Sequence, residues 1–106
     1  MATEGSGRKR MKKGYWVASY RMITDPEALK NYSALAGPAI EAAGGKFLSR
    51  GTAIAAHEAG WVERTVIVEL DSVEIAEAAY ESDAYRVALA AMMGGVERDF
   101  RIVVGV

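Results

Sequence analysis

The 106-residue chain has no cysteine, one histidine and two prolines. Zero cysteine removes disulfides, thiolate metal sites, cysteine nucleophiles and iron–sulfur clusters together. A single histidine cannot build a His-based metal site within one chain. No run of about 18 apolar residues exists, so no membrane-spanning helix is expected. The opening residues are polar and glycine-rich, with no apolar stretch behind the basic cluster, so no secretory signal is expected. No glycine-rich loop leads from a strand into a helix, so no phosphate-cradling loop is expected. A cytoplasmic protein with no cofactor and no metal is the expectation.

What is present is ordinary for a globular domain: 51% hydrophobic and 25% charged residues, enough apolar surface to exclude wholesale disorder. The net charge of −1 averages two unlike parts. Residues 1–13 hold five basic residues and one acid, a net of +4, which leaves −5 for residues 14–106. The division predicts a flexible basic tail over 1–13 and one folded domain over 14–106. A basic tail can touch nucleic acid or an anionic membrane. A domain at −5 argues against nucleic acid as the principal partner, and no membrane partner is expected. So small a domain has little interior for a deep pocket. A pocket shared by two copies eases that limit.

Aromatic and β-branched residues from Tyr15 to Ile23 predict a strand. Thr24-Asp25-Pro26-Glu27 predicts a helix start, with Asp25 or Thr24 as cap and Pro26 at the first position. Leu29, Tyr32, Leu35, Ala36, Ala39, Ile40 and Ala43 form one apolar helical face. Gly37-Pro38 predicts a kink or short break, and Gly44-Gly45 the stop. Lys46 to about Ala56 reads as a second strand, and Trp61 to Leu70 as a third. Asp71-Ser72 opens a helix, Ser82-Asp83 caps another segment, and Arg98 to Val106 forms the last strand. The fold class is therefore α+β: a ferredoxin-like βαββαβ unit with a four-stranded antiparallel sheet and helices on one face.

Alternation sorts each strand into two faces. Phe100, Ile102 and Val104, like Arg64, Val66, Val68 and Leu70, belong to sets expected under the helices. Arg21, Glu63, Glu69 and Arg101 fall on the open face, with Arg21 and Glu63 placed to pair across strands. Two such faces packed together would enclose a partly polar, partly apolar cavity, a usual setting for a small-molecule site.

Several residues in order carry a family resemblance. They are Gly14-Tyr15-Trp16, Asp25-Pro26-Glu27 with Tyr32, Gly37-Pro38-Ala39, Gly44-Gly45-Lys46-Phe47-Leu48, and Arg50-Gly51. Glu58, Trp61, Arg64, Val66-Ile67-Val68-Glu69, Ser72, Ser82 with Tyr85, and Val104-Gly105-Val106 complete the set. On these the chain resembles the domain-of-unknown-function family 1330, of the dimeric α/β-barrel superfamily. The resemblance implies a ferredoxin-like subunit that packs its open sheet face on a second copy, closing an α/β barrel. It implies no activity. Superfamily relatives include small monooxygenases, lactone isomerases and haem-handling enzymes, but those activities transfer by fold analogy alone. Two positions depart from the family pattern: Leu70 stands where Phe is usual, and Met92-Met93 where an Arg is usual. If that arginine serves a ligand in relatives, this chain has lost it or changed its ligand.

The candidate site residues follow. His57 alone titrates near neutrality, which makes it the candidate general acid–base; its place beside the Glu58-Ala59-Gly60 turn is equally that of a surface residue. Glu58, Arg64 and Glu69 match the family pattern, either as structural ion pairs or as a polar cluster for a small ligand. Arg21 and Arg50 can hold a carboxylate through paired hydrogen bonds. Aromatic residues on strands and helices, among them Trp16, Tyr20, Tyr32 and Tyr85, suit packing more than a pocket lining. The expected function is small-molecule binding in the inter-sheet cavity of a homodimer, with cofactor-independent catalysis as an extension. The alternative is an assembly module with no pocket ligand.

Overall fold

The structure, a computed structural model, describes residues 12–106; most of the predicted tail, 1–11, lies outside the described residues. The elements are β1 (Gly14–Ile23), α1 (Pro26–Ala42), β2 (Lys46–Thr52), β3 (Arg64–Leu70), α2 (Val73–Tyr80), α3 (Asp83–Met92) and β4 (Val96–Val104). The strands form one antiparallel sheet in the order β2-β3-β1-β4. This is the ferredoxin-like α+β arrangement expected.

Local chemistry explains the boundaries. Asp25 Oδ1 accepts from the amides of Glu27 (3.1 Å) and Ala28 (3.2 Å), so Asp25 rather than Thr24 caps α1, with Pro26 at its start. Ser72 accepts from the Ile75 amide at 3.1 Å and Ser82 from the Tyr85 amide at 3.2 Å, opening α2 and α3. Gly44, at φ +83°, adopts the left-handed turn that ends α1.

Three expectations are corrected. Helix α1 continues through Gly37 and Pro38, so of the expected kink or break there is no break. Proline removes one backbone bond, and the apolar stripe of Tyr32, Ala36 and Ile40, all buried, holds the helix on the sheet across that gap. The central hairpin is shorter than its apolar residues suggested. The Ala53 amide still donates to the Glu63 carbonyl at 3.0 Å, but no β2–β3 pair lies beyond Thr52 and Arg64. Ile54, Trp61 and Val62 are exposed in the loop between. The last strand begins earlier, at Val96, because Val96 pairs with Ile23 at the far end of β1.

The core lies between the sheet and the three helices. Trp16, Ala18 and Tyr20 on β1 are buried, while Tyr15, Val17 and Ser19 between them are only partly so. Trp16 anchors this layer. Its indole N–H donates to the Ala76 carbonyl at 2.9 Å, and its ring centroid lies 4.9 Å from that of Tyr85 and 5.2 Å from that of Phe100. Of the described residues, no helix is long and apolar enough to cross a membrane.

Candidate functional site

Strand register arranges the helix-facing side in rows. Trp16 lies between Ile102 and Val68, and Ala18 between Phe100 and Val66. These rows are apolar. One step further along β1, Tyr20 pairs with Arg98 on β4, and Arg64 on β3 follows the Ser19–Thr65 pair on the other side. Arg50 pairs with Val66, so it also points to this side. An apolar floor thus ends in three guanidinium groups.

Helix α1 roofs this floor incompletely. Ala36 and Gly37 are small, and beyond the adjacent turns of α1 no atom of the described residues lies within 4 Å of where a Cβ on Gly37 would stand. The result is a cavity between α1 and the sheet, lined by Trp16, Ala18 and Tyr20, by Tyr32, Ser33, Ala36, Gly37 and Ile40, and by Arg50, Arg64, Arg98 and Phe100 among others. Its enclosed volume is about 30 Å³, within about 430 Å³ of surrounding space that includes open solvent. The site is therefore small and partly open to solvent.

Arg98 organises the polar end. Its Nη1 donates to the hydroxyls of Tyr20 (3.3 Å) and Tyr32 (3.2 Å), and its Nη2 to that of Tyr85 (2.8 Å). The Tyr32 and Tyr85 hydroxyls meet at 2.5 Å. The guanidinium also lies over the rings of Phe100 at 4.7 Å and Tyr32 at 5.1 Å, a contact that favours a cation. Burial raises the pKa of Tyr20, Tyr32 and Tyr85 above the ordinary phenol value, against the lowering effect of Arg98. All three are therefore neutral near pH 7. Burial works against the charge on Arg98, but the three phenol oxygens outweigh it and the group stays protonated. Arg64 lies partly buried 5.6 Å above the Tyr20 ring, and its Nε is buried without a hydrogen-bond partner among the described residues. Arg50 lies 4.4 Å over the Phe47 ring at the mouth.

The other face is built differently. Arg21 Nη1 donates to Glu63 at 2.7 Å, the cross-strand pair the alternation predicted, and Nη2 to Asp99 at 3.4 Å. Arg101 Nε meets Asp99 at 2.9 Å, and Tyr15 donates to Glu69 at 2.9 Å. Arg21 also stacks 4.9 Å over Trp61. One carboxylate oxygen here, Glu63 Oε1, is buried without a partner.

The sequence-predicted residues therefore separate. Arg50 and Arg64 line the cavity, whereas Arg21 and Glu69 lie on the opposite face. His57 and Glu58 are exposed in the β2–β3 loop, with Glu58 in the left-handed region at φ 54°, and neither lines the cavity. The cavity that one chain forms by itself is thus on the helix-covered side, not the open face. Sequence reasoning missed Arg98 as a site residue. Its signal was the alternation Arg98, Phe100, Ile102, which places it under the helices with its apolar neighbours. Met92 is buried in the core, and Met93 is exposed. Among the described residues no group of three or more His, Asp or Glu could hold a metal.

Fold and cavity define a ferredoxin-like α+β protein with a cationic pocket between helix and sheet. The chain belongs to the family Domain of unknown function (DUF1330), whose model matches residues 13–106. No curated protein matches it. Solved structures with the same fold include RPA0582 from Rhodopseudomonas palustris, a protein of unknown function. It is 17% identical, with TM-score 0.69, covering 100% of this chain and 95% of that one. A dimeric ferredoxin-like protein of unknown function from Thermobifida fusca is 16% identical, with TM-score 0.55, covering 89% and 92%. A "putative antibiotic biosynthesis monooxygenase" from Caulobacter crescentus is 13% identical, with TM-score 0.59, covering 91% and 92%. At these identities the likeness is one of fold.

Proposed function

We propose that the protein binds a small organic molecule in the cavity between α1 and the sheet, and that two copies pack through their open faces. The observation that carries the first part is the apolar floor of Ala18, Val66 and Phe100 ending in Tyr20, Arg64 and Arg98. Apolar walls with a few convergent polar groups are the usual form of a ligand site. The cavity supplies electrophiles, and among the described residues no carboxylate or imidazole lines it. A cofactor-independent reaction here would run on stabilisation of a developing oxyanion, with the base supplied by the substrate or a solvent species.

A melting-temperature screen of small organic molecules tests the site. Ligands of the native state raise Tm. The hits should lose their effect in Gly37→Phe, which places a ring where, beyond the adjacent turns of α1, no atom of the described residues now stands. A broad screen without a shift overturns the proposal. The second part rests on the partly buried Val17 and Ile67 and the exposed Val103 of the open face. Sedimentation at micromolar concentration should give a dimer, and a stable monomer overturns that part.

A further inference from the structure

The cavity holds a surplus of hydrogen-bond donors. Three neutral phenols carry three O–H protons. One lies between Tyr32 and Tyr85. The proton of Tyr20, and the second proton of the Tyr32–Tyr85 pair, have no acceptor among the described residues. The oxygens of all three phenols accept from Arg98, so that arginine consumes acceptors and leaves the protons stranded. Arg64 Nε adds a buried donor with nothing to receive it. Among the described residues Arg50, Arg64 and Arg98 make no salt bridge, and no carboxylate lines the cavity. On the other face Arg21 and Arg101 each meet a carboxylate. Arg50 is exposed and Arg98 is hydrogen-bonded to phenols only, so the cost falls on the buried Arg64 Nε and on the phenol protons, and the buried end of the site is short of acceptors and of negative charge.

From this imbalance we infer that the ligand is a carboxylate on a small apolar body, its carboxylate against Tyr20, Arg64 and Arg98 and its apolar part over Ala18 and Val66. The inference rests on the proposed pocket and names its substrate class. An ionised carboxylate accepts about four hydrogen bonds and donates none, which complements the surplus. An amine or an alcohol brings further donors. A neutral amide brings two donors and no charge. Inorganic phosphate supplies charge and acceptors but leaves the apolar floor uncovered.

The test uses the full chain, ¹⁵N-labelled, titrated with benzoate, benzamide and inorganic phosphate while the amide signals of Ser33, Ala36 and Gly37 are followed. Benzoate should shift them and bind at least about tenfold more tightly than benzamide or phosphate, a difference of ~1.4 kcal/mol. Arg64→Met should weaken benzoate at least tenfold and leave benzamide unchanged. Arg98→Met should do the same, and Arg64→Met carries the test if that variant fails to fold. Arg21→Met, on the other face, should leave benzoate binding unchanged. Equal binding of benzoate and benzamide overturns the carboxylate assignment while the pocket stands. Phosphate binding as tightly as benzoate overturns the apolar body. No shift with any of the three overturns the assignment and the pocket together.

Discussion

On the open face of the sheet Arg21 and Arg101 meet carboxylates, whereas on the covered face Arg64 and Arg98 meet phenols and aromatic rings. The two faces share one backbone and alternate residue by residue, so the difference is one of side-chain chemistry alone. The open face pairs both its arginines with carboxylates and uses them to tie β1, the Glu63 segment and β4 together. The covered face leaves its cations unbalanced beneath a helix that small residues keep from closing. Stability built from packing and a site built from unmet donors thus occupy neighbouring rows of the same surface.

The largest expected effect separates the faces at two adjacent residues. Trp16→Ala should cost about 3–5 kcal/mol, the range for deleting a buried aromatic. Val17→Ala should cost about 1 kcal/mol or less if its face is open to water. Denaturant unfolding of both variants measures this. A larger, protein-concentration-dependent loss at Val17 would show that a second copy covers the open face.

Tyr85→Phe comes next. It removes the hydroxyl that joins Tyr32 and Arg98 and should cost about 1–2 kcal/mol. Loss of that bridge should leave the ring packing against Trp16 intact, which near-ultraviolet circular dichroism can follow.

Alkaline titration probes the same cluster. The folded-state pKa values of Tyr20, Tyr32 and Tyr85 are raised above 10.0 by burial, so their contribution to stability is complete below pH 10. As pH rises further, the unfolded chain releases phenol protons that the native chain keeps, and stability falls. Absorbance at the phenolate band should show these three groups ionising together with unfolding. Ionisation of all five tyrosines near pH 10 with the fold intact would contradict the cluster.

An effect no larger than that of Tyr85→Phe belongs to the open face. Arg21→Met takes the cation from Glu63, whose side chain is 11% exposed, and should cost about 1–2 kcal/mol, with the part due to the more exposed Asp99 contact shrinking in salt. Asp99 works in the acid direction. The hydrogen bond from Arg101 holds its pKa below the ordinary value of 3.8. Its contribution is present above that pH and is lost as pH falls through the lowered value, which acid unfolding of Asp99→Asn against the parent chain would reveal.

The fold was largely legible in the sequence. Caps at Asp25, Ser72 and Ser82, the Gly44-Gly45 stop and the β1 alternation are local signals, and the structure uses each of them. The Arg21–Glu63 pair followed from register alone. The site was half legible. Arg50 and Arg64 were among the candidates, but the pocket was expected on the open face because mixed polarity there drew the eye. Arg98 has the same parity as Phe100 and Ile102, yet a lone arginine at the head of an apolar set looks like a strand end. Its partners come from three elements, Tyr20 on β1, Tyr32 on α1 and Tyr85 on α3, and no single-strand pattern brings them together. The cavity itself depends on α1 continuing past Pro38, a matter of tertiary packing. The β2–β3 loop hid its length behind Ile54, Trp61 and Val62, apolar residues that read as strand and stand exposed.

The central claim is that the unbalanced cations of the covered face, and not the carboxylate-paired ones of the open face, hold the ligand. A crystal of the full chain soaked with 4-bromobenzoate tests it most directly through the anomalous signal of bromine. The account predicts one bromine peak between α1 and the sheet, with the carboxylate on Tyr20, Arg64 and Arg98. A peak at Arg21 or Arg101 on the open face, or an empty covered cavity at full soak, would contradict it.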